Sequence, residues 1–434
     1  MKAKIIGYGV SGKAAESYLV ARDVETVVVA DAQEKVADDY DFCVVSPGVP
    51  MTQLHENVPV VPEVELPFYC EPKLKPMSLV AVTGTNGKTT VVKQIYQMCQ
   101  ASGKKSVLCG NVGVPVTRVA KQLHQALVVM EVSSFMLEQT KILHPRIAVL
   151  TNITADHLDR HVTMENYAQC KAQITAQQTR KDWFVVNYDD VNARRVGEDI
   201  MRKHGPRVLW YSTQTAVTGY YIQDGKVLEK LGRRVRILGA VDELGGMPHT
   251  VSNALVVIAV GRLLKIPLVT IWRACRYQPQ FHRMELVIDH QGVAFYNDSK
   301  ATNMAATLAA TRSIQMPICL ILCGLSKGQD YHELLRQLPS NVEQVLVFGA
   351  IKEQVMTVAQ SLGLQHVVAV TDLATAVKRA AQVVKKPGVV LFSPSGSSFD
   401  MFANYEQRGD EFKHLVLATV KQEPQYSRLT DAGL

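Results

Sequence analysis

The segment that most constrains the fold is an apolar run followed at once by a glycine turn and a helical pattern. Leu79 to Val82 predict a buried parallel strand, and the turn-forming residues from Thr83 to Gly87 include two glycines. From Thr90 onward, apolar residues recur at helical spacing. A strand, a glycine turn and a helix that opens on Gly-Lys-Thr predict a phosphate-binding loop, because backbone N–H groups and the helix N-terminus can face an anion.

The side chains of this loop refine the prediction. Lys88 can reach the terminal phosphates of a nucleotide, and the Thr89 hydroxyl can ligate Mg²⁺. The loop departs from the standard pattern because Val82 stands where a glycine is expected. The alternative is an ordinary strand–turn–helix with a surface lysine. The position of Gly-Lys-Thr favours the phosphate loop.

The overall composition is that of a soluble protein with several domains. The chain has 434 residues, 47% of them hydrophobic and 20% charged, and a net charge of +7 without a long basic block, so nothing indicates nucleic acid. The eight cysteines are scattered and predict neither disulfides nor a zinc site. We expect no signal peptide and no membrane span, and therefore a cytoplasmic protein.

The N-terminal segment alternates strand and helix patterns, as in half of a Rossmann-like sheet. Its GxGxxG turn runs from Gly7 to Gly12, and the next strand ends at Asp31. A dinucleotide with its ribose on Asp31, another diphosphate such as UDP, and a turn without ligand are all open interpretations. Residues 55–78 are rich in proline and predict a linker.

The rest of the chain also predicts α/β structure, in which polar turns follow the strands. We predict three domains: residues 1–75, 76–278 and 279–434. Residues 207–240 predict antiparallel strands with a turn at 223–225. The polar turns that could carry chemistry lie at Asn111, at Glu131 to Ser134, at Asn152 to His157, at Asp298 to Asn303 and at Cys323 to Gly328.

Three side chains of these turns, and Lys171 on a predicted helix, are candidates for a functional role. Glu131 ends an apolar run at the Walker B position and can serve Mg²⁺, or it can cap a helix. Asp298 could hold a nucleotide hydroxyl. A histidine in a turn, such as His157, is more often structural, and Lys171 by itself would be a solvated helix residue.

Several of these stretches together resemble the Mur ligase family. The stretch from Thr83 to Thr90 is similar to the family's variant phosphate loop, and four further stretches resemble the family in order and spacing. The chain is most similar to the branch that adds D-glutamate, and it lacks the C-terminal motif of the diamino-acid branches. The four stretches are Glu131–Phe135, Asn152–His157, His282–Arg283 and Asp298–Asn303; the branch is indicated by Gly7–Gly12, Ser46–Gly48, Ser393–Pro394, Ser398–Phe402 and Glu406–Gly409.

The resemblance implies a fold and an activity. It implies an N-terminal Rossmann-like domain for the uridine nucleotide, a central P-loop domain for ATP and a C-terminal Rossmann-like domain for the incoming amino acid. The implied reaction joins D-glutamate to UDP-N-acetylmuramoyl-L-alanine through an acyl phosphate, in peptidoglycan precursor synthesis. The implied protein is a cytoplasmic monomer that needs ATP and two Mg²⁺ ions and neither binds nucleic acid nor inserts into membranes.

The resemblance also implies a role for each motif residue. Lys88, Glu131, His157 and Lys171 would be catalytic, and Thr89, Glu131, His157 and a carboxylated Lys171 would serve the metals. The ATP contacts would be Gly84, Thr85, Asn86, Gly87, Lys88, Thr89, Thr90, Asn253, Arg283, Asp298 and Lys300. The substrate contacts would be Val10, Ser11, Gly12, Asp31, Gly48, Asn111, Ser133, His157, Thr302, Lys327, Ser398 and Phe399.

Two departures and three alternatives qualify this assignment. Ala32 and Gln33 replace the family's Thr and Arg after Asp31, and Thr250 replaces its Asn after His249. The first alternative is a sister ligase with another acceptor, such as a folylpolyglutamate synthase. The others are an NAD-dependent oxidoreductase built on residues 1–75 and a nucleotide-binding regulator without catalysis.

Overall fold

The computed structural model describes residues 1–30, 39–54, 56–74, 78–244, 248–276 and 281–422. They form two compact units, Met1–Thr154 with Arg160–Tyr277, and Ala155–Asp159 with Gln278–Leu434. The strands build three sheets, each flanked by helices, which confirms the α/β class. The predicted boundaries at residues 75 and 279 fall outside the described residues and stay predictions.

The first sheet is four-stranded and parallel, in the order β2-β1-β3-β4. Its core joins strand residues such as Ile5 and Val44 to Leu19 of α1. The elements are β1 (Lys2–Ile6), α1 (Val10–Val20), β2 (Glu25–Val29), β3 (Phe42–Val45), β4 (Val60–Pro62) and α2 (Leu66–Cys70).

The prediction that residues 55–78 form a linker was wrong. The segment contains β4 and α2, and Glu63 and Glu65 are buried at 2% exposure each. Its prolines occupy tolerated places, since Pro62 ends an edge strand and Pro67 lies in the first turn of α2. Composition suggested a loop, whereas the prolines mark element ends.

The central sheet has nine strands in the order β13-β12-β11-β10-β9-β8-β5-β7-β6. Strands β5 to β10 are parallel, and both of their faces are apolar because helices cover each side. The strands are β5 (Ser78–Thr83), β6 (Ser106–Gly110), β7 (Leu127–Glu131), β8 (Ile147–Leu150), β9 (Trp183–Asn187), β10 (Arg207–Ser212), β11 (Gly219–Gln223), β12 (Lys226–Leu231) and β13 (Arg234–Ala240).

The helices of this segment follow its strands in chain order. They are α3 (Lys88–Ala101), α4 (Ser134–Leu137), α5 (Leu158–His161), α6 (Met164–Ala172), α7 (Val191–Arg202), α8 (Pro248–Leu263) and α9 (Leu268–Cys275). The prediction of antiparallel strands over 207–240 is confirmed for β11 to β13 and for the turn after Gln223. It was wrong for β10, which pairs in parallel with β9 and β11.

The third sheet belongs to the second unit, in the order β14-β15-β19-β16-β17-β18. All its strands are parallel except β14, an antiparallel edge strand that was not predicted. The elements are β14 (Glu285–His290), β15 (Val293–Asn297), α10 (Met304–Arg312), β16 (Ile318–Cys323), α11 (Tyr331–Gln337), β17 (Val342–Val347), α12 (Lys352–Ser361), β18 (Val367–Ala369), α13 (Leu373–Val383), β19 (Gly388–Ser395) and α14 (Tyr405–Gln422). Across the described residues, no helix combines the length and apolar character that crossing a bilayer requires.

Candidate active site

The predicted phosphate loop connects β5 to α3 and depends on both of its glycines. Gly84 has a φ of +145°, and a Cβ there would lie 1.9 Å from Thr151 Oγ1. Gly87 has a φ of +86°, and its Cβ would lie 2.6 Å from Asn253 Oδ1. Any other residue would force the loop away from its neighbours. Asn253, a predicted ATP contact on α8, therefore lies directly against the loop.

The turn after β8 holds the loop in shape. Asn86 N donates to Asn152 Oδ1 at 2.8 Å, and Thr151 Oγ1 donates to Asn86 O at 2.7 Å. Thr85 Oγ1 accepts a hydrogen bond from Thr154 N at 3.1 Å. The first half of the stretch from Asn152 to His157 is thus a support for the loop backbone, a role that sequence reasoning did not assign.

Two lysines meet at the carbonyl of Gly84. Lys88 Nζ donates to Gly84 O and Thr85 O, each at 2.8 Å, and Lys171 Nζ donates to Gly84 O at 3.0 Å. Lys171 is 1% exposed and its ammonium lies 4.3 Å from the centre of the Tyr167 ring. The interpretation of Lys171 as a solvated helix residue was wrong, because α6 directs this side chain into the interior beneath the loop.

A buried carboxylate faces the first turn of α3. Glu131, the last residue of β7, is 2% exposed. Its Oε2 accepts a hydrogen bond from Thr89 Oγ1 at 2.9 Å, and its Oε1 accepts one from Asn111 Nδ2 at 2.8 Å. A hydroxyl and a carboxylate are the hard oxygen ligands that Mg²⁺ prefers, so the pair of Thr89 and Glu131 fits this ion.

The GxGxxG turn packs against a second turn at the carboxyl end of β3. A Cβ on Gly12 would lie 2.1 Å from Gly7 O, and Ser46 Oγ donates to Gly7 O at 2.6 Å. Val10 is 70% exposed at the start of α1, and Ser11 is partly exposed beside it. The turn therefore presents the start of a helix to solvent, as binding a diphosphate requires.

Arg160 links this second turn to the central sheet, and sequence reasoning missed it. Its Nη1 donates to the carbonyls of Pro47 and Gly48, and its Nη2 to that of Val49, each at 3.1 Å. Its Nε donates to Glu138 Oε2 at 2.9 Å. The predicted substrate contact Gly48 is therefore held in place by a charged residue about 110 positions away in the chain.

In the second unit, Asp156 joins three predicted site regions. Its Oδ1 lies 3.3 Å from Lys327 Nζ, and its Oδ2 accepts a hydrogen bond from Asn303 Nδ2 at 3.2 Å. His157 Nε2 lies 3.7 Å from the same Oδ2, and His157 has a left-handed φ of 54°. Asp156 is 5% exposed and was part of a recognised stretch, but it had no assigned role.

Asp298 is enclosed in the second unit rather than presented at its surface. Its Oδ2 accepts a hydrogen bond from Ser393 Oγ at 2.9 Å, its Oδ1 accepts one from Met284 N at 3.2 Å, and Arg283 Nη1 lies 3.7 Å away. Complete burial raises the pKa of the Asp298 carboxyl to about 6, although Arg283 and the hydrogen bonds oppose the shift. Nζ of Lys300, another predicted ATP contact in this turn, lies 5.7 Å from the centre of the Tyr405 ring.

The remaining predicted residues of the second unit differ widely in exposure. Ser398 is 2% exposed, whereas Phe399 is 73% exposed, and Thr302 is intermediate. Behind them, the fully buried Arg408 donates to Ser299 O at 2.8 Å and to Gly396 O at 3.0 Å. Arg408 thereby connects the turns that follow β15 and β19. Sequence reasoning quoted its stretch but gave it no role.

Two predicted site residues, Ser133 and Asp31, receive a simpler description or none. Ser133 caps α4, since its Oγ accepts a hydrogen bond from Met136 N at 3.2 Å. Asp31, with Ala32 and Gln33, lies outside the described residues, and so does the side chain of His249.

Comparison with known proteins defines the family. Residues 82–261 match the Mur ligase middle domain, and residues 282–396 match the glutamate ligase domain of Mur ligases. A protein of Pelotomaculum thermopropionicum named UDP-N-acetylmuramoylalanine--D-glutamate ligase is 33% identical, over 97% of this chain and 98% of its own. The chain belongs to the Mur ligase family. A protein of the same name from Pediococcus pentosaceus is 36% identical, over 86% of this chain and 81% of its own.

Solved Mur ligase structures share the fold. The MurF ligase of Thermotoga maritima, solved in complex with ADP, superposes with a TM-score of 0.62 at 15% identity, covering 97% of this chain and 95% of its own. This likeness confirms the fold of this Mur ligase. Hydrogen bonds bring six predicted site residues of this chain together in two groups. The first contains Lys88, Lys171 and Gly84, and the second contains Thr89, Glu131 and Asn111.

Proposed function

We propose that this Mur ligase couples ATP cleavage to formation of an amide bond between UDP-N-acetylmuramoyl-L-alanine and D-glutamate in peptidoglycan precursor synthesis. The structural observation that carries the proposal is the glycine loop at which Lys88, Thr89 and buried Glu131 meet. The substrates follow from the names of relatives that are 33–36% identical over 86–97% of the chain. The proposed use of ATP has further support from the structural neighbour, which was solved in complex with ADP.

The proposed reaction has two steps, both of which depend on positioning. A carboxylate oxygen of the acceptor attacks the γ-phosphorus of ATP, the bond to the β,γ-bridging oxygen breaks and ADP leaves. The amine of D-glutamate then attacks the acyl carbon, the bond to the phosphate oxygen breaks, phosphate leaves and the new amide nitrogen loses a proton. Lys88 and the N–H groups at the start of α3 hold the phosphates while their charge is redistributed.

Magnesium would be held by Thr89 and Glu131, with His157 and Lys171 as the further proposed ligands. When bound, it would neutralise phosphate charge. Glu131 already accepts hydrogen bonds from Thr89 and Asn111, which orient both carboxylate oxygens.

Carboxylation of Lys171 is proposed because the resemblance to the family implies it, and the burial and charge of this side chain are compatible with it. An ammonium at 1% exposure, bonded to the same carbonyl as Lys88, places two cations beside one loop. Addition of CO₂ to the neutral amine, with loss of a proton, would turn this side chain into an oxygen-bearing anion of the kind Mg²⁺ prefers. The carbamate nitrogen keeps one N–H, so the hydrogen bond to Gly84 O can persist.

The remaining roles are assigned by segment. Val10, Ser11, Gly12, Asp31 and Gly48 in residues 1–75 would hold the uridine diphosphate end of the acceptor, and Asn111 and Ser133 in residues 76–278 would contact the acceptor. The nucleoside of ATP would be held by Asn253, Arg283, Asp298 and Lys300. In residues 279–434, Thr302, Lys327, Ser398 and Phe399 would surround D-glutamate. Lys327 Nζ lies 3.3 Å from Asp156 Oδ1, which fixes the position of this ammonium within the second unit.

A matrix of substrates tests the proposal through release of ADP. We expect turnover only with ATP, Mg²⁺, UDP-N-acetylmuramoyl-L-alanine and D-glutamate together. Equal turnover with L-glutamate or meso-diaminopimelate would contradict the assignment within the family. Turnover with a folate acceptor would support the sister ligase, and oxidation of NADH would support the oxidoreductase. We also propose that the protein is cytoplasmic and monomeric. Light scattering on the purified protein tests whether it is a monomer.

A further inference from the structure

A cavity of about 880 Å³ lies at the edge of the central sheet opposite the phosphate loop. It is lined by the first residues of three adjacent parallel strands, Ser78 of β5, Ile147 of β8 and Trp183 of β9. The loop begins at the other end of β5, five residues on. At about 3.3 Å per residue, roughly 17 Å of strand separate the cavity from the loop. The cavity is therefore distinct from the site described above.

The walls of the cavity are mainly apolar. Phe68 and Leu74 line one part, Leu143 another, and Leu263 and Leu264 at the end of α8 a third. Small-molecule sites are typically concave, apolar and about 300–1,000 Å³ in volume, with a few polar groups that orient the ligand. This cavity has the size and the lining of such a site.

The polar groups at the cavity are predominantly cationic. The carboxylate of Asp182 also lines the cavity, and its oxygens already have hydrogen-bond donors within the protein. They accept hydrogen bonds from His144 Nε2 at 2.9 Å, Arg146 Nη1 at 3.0 Å and Thr179 N at 2.7 Å. Burial opposes ionisation, but these hydrogen bonds prevail and lower the pKa of Asp182 to about 2. The ionised carboxylate is thus bonded to residues of the protein itself.

Two cations at the cavity retain donor capacity. The Arg146 side chain is 50% exposed and uses one of its five N–H donors on Asp182. Lys265 is exposed, and among the described residues it forms no ion pair. Arg146 and Lys265 together outweigh the single negative charge of Asp182, and the remaining positive charge favours an anionic group.

We propose that this cavity binds a small amphipathic anion, with its apolar body against the leucines and its carboxylate, sulfonate or phosphate group at Arg146 and Lys265. Charge complementarity selects the anion, and the apolar walls exclude fully polar anions such as inorganic phosphate. The proposal is independent of the function proposed above, because none of the lining residues belongs to the phosphate loop.

Fluorescence titration with 8-anilinonaphthalene-1-sulfonate tests the proposal on the full chain. Ile142, which lines the cavity and is 45% exposed, can be enlarged with little cost to the fold. We expect Ile142→Trp to weaken binding at least about tenfold by filling the cavity. Lys265→Ala removes a charge and is expected to weaken binding about three- to fivefold at low salt, with the difference reduced at high salt. Lys378→Ala, at an exposed position on α13, is the matched control and should bind like the parent protein.

Competition identifies the site and the chemistry of its ligand. We expect ATP with Mg²⁺ not to displace the probe, Lys88→Ala to leave its affinity unchanged, and octanoate to displace it far better than octylammonium. Displacement by ATP would place the probe at the phosphate loop and overturn the proposal. So would unchanged binding in both Ile142→Trp and Lys265→Ala, or equal competition by octanoate and octylammonium.

Discussion

Two turns of the first unit share one backbone design and differ in what surrounds them. The turn from Gly7 to Gly12 and the loop from Thr83 to Lys88 each connect a parallel strand to a helix. In each, a glycine precedes the helix and, within the described residues, gives it no side-chain cap. No side chain of the residue before either helix therefore competes with an anion for the first N–H groups.

The surroundings of the two turns are different. Near the first, Ser46 makes a neutral hydrogen bond to Gly7 O, and Gly7 N donates to Val29 O. Near the second, Lys88 and Lys171 bond to Gly84 O, and the buried Glu131 accepts from Thr89. In the function proposed above, the first turn serves only to bind a phosphate, whereas the chemistry at the second turn also uses charges supplied by other elements.

Lys88→Ala tests the second turn most directly. Loss of one preorganised cation at a transferring phosphate costs roughly 2.7–4 kcal/mol, so turnover should fall by about 100- to 1,000-fold or more. The rate of ADP release measures the effect, and the melting temperature shows whether the fold is kept. Near-normal turnover in a folded variant would mean that the two turns have the same, purely binding, role.

Lys171→Ala asks whether the buried lysine contributes to that chemistry. If its carbamate holds a metal, turnover should fall at least about 100-fold, because even outer-shell partners of a metal contribute up to that much. Lys171→Glu should lose less, since it restores a carboxylate on a shorter arm. A carbamate signal in ¹³C NMR after incubation with labelled bicarbonate is the structural readout. Full activity of Lys171→Ala would refute the carbamate.

Glu131→Gln probes the acid opposite Thr89. The amide retains one oxygen acceptor and loses the charge, so the Mg²⁺ concentration needed for half-maximal ADP release should rise by about 10- to 100-fold. Asn111→Ala, which removes a hydrogen bond to Glu131 and leaves the charge of that carboxylate in place, should shift the Mg²⁺ requirement less. An unchanged Mg²⁺ requirement in Glu131→Gln would assign the residue to structure alone.

Gly12→Ala perturbs the first turn with the smallest expected effect. Its Cβ would lie 2.1 Å from Gly7 O, and the strain of displacing the turn should raise the KM for the UDP-linked acceptor by about tenfold, with kcat little changed. Ser17→Ala, on the exposed side of α1, is the control and should alter neither constant. A fall in kcat without a rise in KM would show that the first turn also takes part in the chemistry.

Prediction from the sequence was most successful where local structure follows from neighbouring residues. The phosphate loop, the strand before it and Glu131 at the end of β7 were all inferred from local apolar runs and turns. It failed at residues 55–78, where Pro62 and Pro67 mark the ends of ordered elements rather than a linker. It also missed β14, an edge strand with an irregular pattern of burial.

What the sequence by itself determined is most of the order of strands, turns and helices, together with the identity of the loop, because each depends on spacing within about ten residues. Tertiary structure alone decided the surroundings of Lys171, the linkage by Arg160 and the ion pair of Asp156 with Lys327. These depend on contacts between residues more than 80 positions apart. A side chain on a helix has the same local pattern whether it meets solvent or a carbonyl, and only the packing of that helix against the sheet distinguishes the two.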